Sequence, residues 1–133
     1  MELKARIVQA TDFIIATPDG VLDLGKSRDL LKKITKTSEG HRDFHILIDF
    51  RTTDIKLSTA DIWEICKGLS EYGETFKRKT AILVRQDGNF EKMRFFELCA
   101  VNRGFKINPF TDFEEAIMWL LPKNNARKIN QPN

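Results

Sequence analysis

The chain has 133 residues, enough for one domain with a real core. Hydrophobic residues make up 41% and charged residues 31%, a balance that excludes a disordered or fibrous chain, and the formal net charge of +3 is too small for the dense basic stripe of a nucleic-acid binder. No apolar run approaches the ~18 residues of a membrane helix, and the opening MELKARIVQATDF carries no secretory pattern. The two cysteines, Cys66 and Cys99, read as reduced core residues of a cytoplasmic protein rather than as a disulfide framework.

Residues 5–9 alternate apolar and polar, and Phe13 to Thr17 is rich in β-formers. With Thr11-Asp12 between them, the pair reads as an antiparallel hairpin. Pro18-Asp19-Gly20 has the composition of a tight turn, and Val21 to Leu24 of a short third strand. Ser27 then reads as an N-cap, followed by Leu30, Leu31 and Ile34 at helical spacing through about Thr37, with Gly40 suited to end the helix. The run FHILIDF, Phe44 to Phe50, is apolar on both faces and belongs in the middle of a sheet covered on both sides. Arg51 to Leu57 reads as a connection without structure of its own.

Ser58 stands three residues before Asp61, the spacing of a capping box. The helix it opens has an inward stripe of Ile62, Ile65, Cys66 and Leu69 and runs to near Gly73. Thr80 to Val84 reads as a buried strand, Asn89 to Arg103 as a helix ended by Gly104, and Phe105 to Phe110 as the last strand. Thr111 or Asp112 caps a final helix with Phe113, Ala116, Ile117 and Leu120 facing inward, and Pro122 stops it. The expectation is a single α/β domain over 1–121: a mixed sheet of four to five strands, an N-terminal hairpin and a βαβαβα C-terminal half. Residues 122–133 read as a polar, flexible tail.

Several segments together resemble the STAS and SpoIIAA-like family: ILIDF as central strand, DIKLSTADI leading into a helix, TAILV as next strand, then FFELCAVNRGFKINPF and DFEEAIMWLL. The resemblance spans roughly Leu3 to Leu121. It implies a non-catalytic domain that binds proteins and, in some relatives, small or hydrophobic ligands. Signalling members of that family carry an Asp-Ser-Ser-Gly type motif whose serine is phosphorylated. The matching stretch is Leu57-Ser58-Thr59-Ala60, which keeps both hydroxyls but lacks the acid and the glycine.

Each candidate has a plainer alternative. Ser58 at a helix N-terminus suits a phosphate, yet serves equally as a cap, and the cap is the favoured reading. Asp49 ends a buried strand where receiver domains place an acceptor carboxylate, but the acidic pair and the lysine of a receiver are missing, so it reads as an acceptor for nearby backbone N–H groups. His41, Asp43 and His45 alternate along one extended face with metal-ligand chemistry, yet a fourth ligand is lacking and solvated side chains are the default. Lys77, Arg78 and Lys79 read as a solvated basic run. Trp63, one step off the inward stripe, reads as a residue at the core's edge. The helix from Asn89 is apolar nearly all round, with Phe95 and Phe96 unable to face the same way; cover by another part of the chain is the favoured reading, and this helix is also the best candidate for an interface or an apolar pocket.

No nucleophile–base pair, phosphate loop or metal set occurs, so no enzymatic activity and no cofactor is expected. The expected function is regulatory protein binding, through a protein partner or self-association. The alternative is carriage of a small apolar ligand between sheet and helices. The expected site is the carboxyl edge of the sheet, with Asp49, Arg51, Ser58, Thr59, Trp63, Arg85 and Asp87, because strand ends and helix N-termini converge there.

Overall fold

The computed structural model describes residues 4–10, 12–41 and 43–121. Strands β1 (Lys4–Ala10) and β2 (Phe13–Leu22) are followed by helix α1 (Leu24–Ser38), then β3 (His45–Asp49), β4 (Thr53–Ile55) and α2 (Thr59–Lys67). Two 3₁₀ turns, Leu69–Tyr72 and Thr75–Lys77, lead to β5 (Thr80–Leu83), α3 (Gly88–Val101), β6 (Ile107–Phe110) and α4 (Phe113–Leu120). The sheet order is β1-β2-β3-β5-β6, with β4 paired to the far end of β2. Only β1 is antiparallel; every other pairing is parallel.

From β2 to β6 the order advances across the sheet without reversing. Right-handed crossovers in one direction put every connecting helix on the same face. Accordingly α1, α2 and α3 share one core with that face, in which Leu30, Ile34, Ile62, Cys66, Met93 and Phe96 meet Ala16, Ile46, Ile48, Ile82 and Val84. Helix α4 leads to no further strand among the described residues, so the rule leaves it free. It covers the other face, where Ala116 and Leu120 pack on Leu47, Ala81 and Leu83. Strand β3 is therefore central and buried on both sides, as its continuous apolar run requires.

The Pro18-Asp19-Gly20 segment is not a turn. It lies inside β2, opposite β1, with Ala5 paired to Pro18 and Lys4 to Asp19. On its other side β2 pairs with β3 as far as Ala16 and with β4 from Gly20 onward. Pro18 falls in the gap between these partners, where its missing N–H breaks no ladder bond. Its carbonyl accepts from the buried Thr53 hydroxyl. Gly20 has φ 116°, a conformation open to glycine that lets the strand bend where it changes partner.

Other boundaries move as well. Val21 and Leu22 continue β2 rather than forming a third strand, and Asp23 is the cap of α1, its Oδ1 accepting from the N–H of Lys26 at 2.9 Å. Ser27 lies within the helix, buried, its hydroxyl donating back to the Asp23 carbonyl at 2.8 Å. The stretch from Arg51 to Leu57 contains β4. Helix α2 ends at Lys67, and the chain continues through the 3₁₀ turns anchored by the buried Leu69 and Phe76. Phe113 stands exposed at the start of α4, leaving Ala116 and Leu120 as its buried residues. The 122–133 segment expected to be a tail lies outside the described residues.

Because α4 is short and held by few apolar contacts, Leu120→Ala should destabilise the domain by roughly 2–5 kcal/mol in urea unfolding. Leu98→Ala, at a position 65% exposed, should stay within about 0.5 kcal/mol of wild type.

Candidate functional site

At the carboxyl edge of the sheet, Asp49 and Arg51 form a closed pair. The Arg51 Nε donates to Oδ1 at 3.0 Å, Nη2 donates to Oδ2 at 2.9 Å, and the Arg51 backbone N–H also reaches Oδ1 at 3.0 Å. The hydrogen bond to Asp49 raises the Arg51 pKa above its ordinary value, against a smaller effect of burial. Both oxygens of Asp49 are thus occupied by its own neighbour, and the chain turns back toward β4 at this clamp. One strand over, Arg85 pairs with Asp87 at 3.4 Å, while Asp87 caps α3 by accepting from the N–H of Asn89 at 2.9 Å.

Ser58 is placed by the segment that follows Arg51. Strand β4 lies beside β2 in the register Gly20–Thr53, Val21–Asp54 and Leu22–Ile55. The Lys56 N–H extends this ladder to the Leu22 carbonyl at 2.8 Å. Lys92, from α3, donates to the Ile55 carbonyl at 3.0 Å, and Leu57 is buried. Held from both ends, Ser58 caps α2: its Oγ accepts from the Asp61 N–H, and Asp61 Oδ2 accepts from the Ser58 N–H, each at 3.0 Å. The capping box foreseen in the sequence is present on both sides.

Thr59 and Trp63 lie one turn apart on α2 and share its outer face. Trp63 is 43% exposed, and the Arg103 guanidinium sits 4.6 Å from its ring centre. The edge residues therefore do not all share one surface. Asp49 follows Leu47 by two residues and so belongs to the α4 face of the sheet, whereas Ser58, Thr59 and Trp63 ride on α2 over the opposite face.

Of the two phenylalanines proposed as an interface, Phe96 is buried in the core and Phe95 is half-buried against it. The exposed apolar residues of α3 are Leu98 and Val101. Their spacing carries the signal: Leu98 lies two positions from Phe96, about 200° around the helix. At the β6 edge, Thr80 and Val84 donate to the carbonyls of Lys106 and Phe110, both at 2.9 Å, so Pro109 turns its missing N–H outward.

At the opposite edge the basic run serves the fold. Arg78 Nη1 donates to the carbonyls of His41 and Phe44 at 2.8 and 2.9 Å, and Lys79 Nζ donates to the Trp119 carbonyl at 2.9 Å. Among the described residues no three of His, Cys, Asp and Glu are grouped to hold a metal, and His41, Asp43 and His45 do not converge. No helix among them is long and apolar enough to cross a membrane. The interior holds a cavity of about 40 Å³ between Leu22, Ile48, Phe50, Leu57 and Met93.

This architecture, a mixed sheet with three connecting helices on one face, one terminal helix on the other and a capped helix after the central strand, is the SpoIIAA-like fold. Among solved structures the chain is similar to an uncharacterized protein of the DUF3478 family with a SpoIIAA-like fold from Shewanella loihica PV-4. The TM-score is 0.59 at 20% identity, over 90% of this chain and 94% of that one. It is also similar to an anti-sigma factor antagonist from Mycobacterium paratuberculosis, with TM-score 0.59 at 11% identity over the same shares of the two chains. A third is the anti-sigma factor antagonist SpoIIAA in its unphosphorylated form, with TM-score 0.50 at 17% identity, over 86% of this chain and 94% of that one. No protein-family model matches the chain, and no curated protein matches it.

Two predictions arise from these contacts. Ser58→Ala should cost about 1 kcal/mol in chemical unfolding as a lost cap, while Ser58→Asp, which can also cap, should stay near wild type. The second concerns His45, whose Nδ1 is buried without a partner. Burial lowers its pKa below the ordinary 6.5; the Lys79 ammonium adds to this, Asp12 opposes it, and Arg78 lowers it again. Above pH 6.5 both folded and unfolded chains hold this imidazole neutral. Below it the unfolded chain takes up a proton that the folded chain resists, so stability falls until the folded pKa is reached. The urea midpoint should drop between pH 7 and pH 5 by more in wild type than in His45→Phe; equal slopes would assign the effect elsewhere.

Proposed function

We propose that this is a non-catalytic regulatory domain that binds a protein partner through the outer face of α2, with Ser58, Thr59 and Trp63 as its centre. The observation that carries the reading is Trp63: a large indole, half exposed and held by Arg103, one turn below the exposed start of a helix whose position is fixed by β4. Aromatic and arginine side chains of this kind dominate the energetics of protein interfaces. The anti-sigma factor antagonists of similar fold support a regulatory role, and Ser58 holds the place of the serine expected from the family resemblance. Phosphate on Ser58 would face the exposed N–H groups of α2 but stand beside Asp61, so its effect on partner binding would be electrostatic as well as steric. Asp49, paired with Arg51 on the α4 side of the sheet, lies outside this surface.

The test is affinity capture from cell extract with quantitative mass spectrometry, comparing wild type, Trp63→Ala and Ser58→Asp, each first shown to be folded. A specific partner should be retained by wild type and reduced roughly 30-fold or more by Trp63→Ala, the loss expected of an interface centre worth about 2 kcal/mol. Equal retention by all three proteins would place any binding surface elsewhere. Carriage of a small apolar ligand is the weaker reading: the 40 Å³ cavity is far below the roughly 300–1,000 Å³ of pockets that enclose small molecules. Native mass spectrometry should accordingly show the bare chain or whole multiples of it; a constant added mass would restore the carrier reading.

A further inference from the structure

Cys66 and Cys99 are the only two cysteines of the chain, and the fold brings them together. From α2, the Cys66 Sγ lies 3.7 Å from the Phe96 carbonyl oxygen on α3. In an α-helix that oxygen points along the axis toward the residues three and four positions on, here Cys99 and Ala100. Cys99 shares the buried face of α3 with Met93, Phe96 and Ala100. It stands about one turn beyond the Phe96 carbonyl that Cys66 touches, in the same core as Cys66, and both cysteines are free. Packing alone explains two small apolar side chains; it does not require that both cysteines stand at the one contact between α2 and α3.

We propose that Cys66 and Cys99 are a thiol–disulfide couple that, on oxidation by a small-molecule disulfide, cross-links α2 to α3. The reaction is two successive exchanges. Cys99 loses its proton to solvent, and its sulfur attacks the reagent's S–S bond, releasing one reagent thiol. Cys66 then loses its proton, and its sulfur attacks Cys99 in the mixed disulfide, releasing the second reagent thiol. Two protein S–H bonds and one reagent S–S bond are exchanged for one protein S–S bond and two reagent S–H bonds. Forming an S–S bond of about 2 Å needs side-chain rotation and a closer approach of α2 and α3.

The surroundings set the rate and order. Cys66 is fully enclosed, and burial first, then the neighbouring Cys99, push its thiol up to about 12. Cys99 retains slight exposure and is the thiol an outside reagent reaches first. Thiolate is scarce, so oxidation is slow at neutral pH and accelerates as pH rises. Once formed, the bond holds α2, with its Ser58 cap, against α3.

The test uses the full folded chain, treated with oxidised glutathione at pH 7 and pH 9 without denaturant. It is then denatured, alkylated and weighed without reduction. The expected product is a monomer lighter by two hydrogens, with neither cysteine alkylated, formed faster at pH 9 and restored to two alkylatable thiols by dithiothreitol. Amide exchange in α2 should slow in the oxidised form. Cys99→Ala, a small apolar replacement that keeps the core dry, should lose the intramolecular product. If that variant fails to fold, peptide mapping of oxidised wild type for a Cys66–Cys99 linked pair decides the matter. Two alkylatable thiols after prolonged native oxidation would overturn the proposal, as would disulfides found only between chains or only after unfolding.

Discussion

The structure depends on one strand having three partners. Over its ten residues β2 pairs antiparallel with β1 along one side, and on the other side with β3 first and β4 afterwards. The change of partner occurs at Pro18, where the backbone has no N–H to offer. The Thr53 hydroxyl supplies the carbonyl's missing partner there. A residue that would weaken an uninterrupted central strand is thus placed where the ladder is already interrupted. Gly20, with its positive φ, lets the strand bend onto β4. The start of α2 follows from this arrangement, since Lys56, Leu57 and Ser58 continue directly from the paired segment.

The division of helices has a similarly simple origin. Three crossovers advancing one way across a parallel sheet all pass over the same face. The larger core is there, and the smaller one beneath α4 completes the burial of β3 and β5. The same geometry spreads the carboxyl edge over two faces. Asp49 is drawn to the α4 side by strand alternation, while Ser58 and Trp63 are carried to the other by α2. Side chains at one edge of a sheet therefore need not lie on one surface.

The sequence was most legible where burial speaks for itself. FHILIDF, apolar on both faces through Ile46, Leu47 and Ile48, had to be central, and the stripe Ile62, Ile65, Cys66 and Leu69 had to face inward. The spacing of Ser58 and Asp61 identified a cap because both halves of the motif lie within one turn. It was least legible where a tertiary partner overrides local composition. Pro18-Asp19-Gly20 has turn chemistry by any local measure, and its pairing with β1 together with the arrival of Thr53 from a distant segment makes it strand. Asp23 as the true cap of α1 was hidden behind Ser27, an equally good cap by type, because the strand before it was read on to Leu24, across Asp23 itself. At the site, the ion pair of Asp49 with Arg51 follows from their proximity in sequence, but the contact of Trp63 with Arg103 joins α2 to the turn after α3 and has no local signal. The exposed Leu98 and Val101 were obscured by a helix whose apolar residues surround it almost evenly.

The central claim is that residues 51–57 are not a loose connection but a short strand on β2 that holds α2 and Ser58 in place. Amide hydrogen exchange read residue by residue tests it most directly, at the Lys56 N–H that donates to the Leu22 carbonyl at 2.8 Å. Protection of this amide comparable to that of the β3 amides, in the native protein and without ligand, is the result the account predicts. Exchange of Lys56 at the rate of an unstructured loop, with the β3 amides still protected, would contradict it.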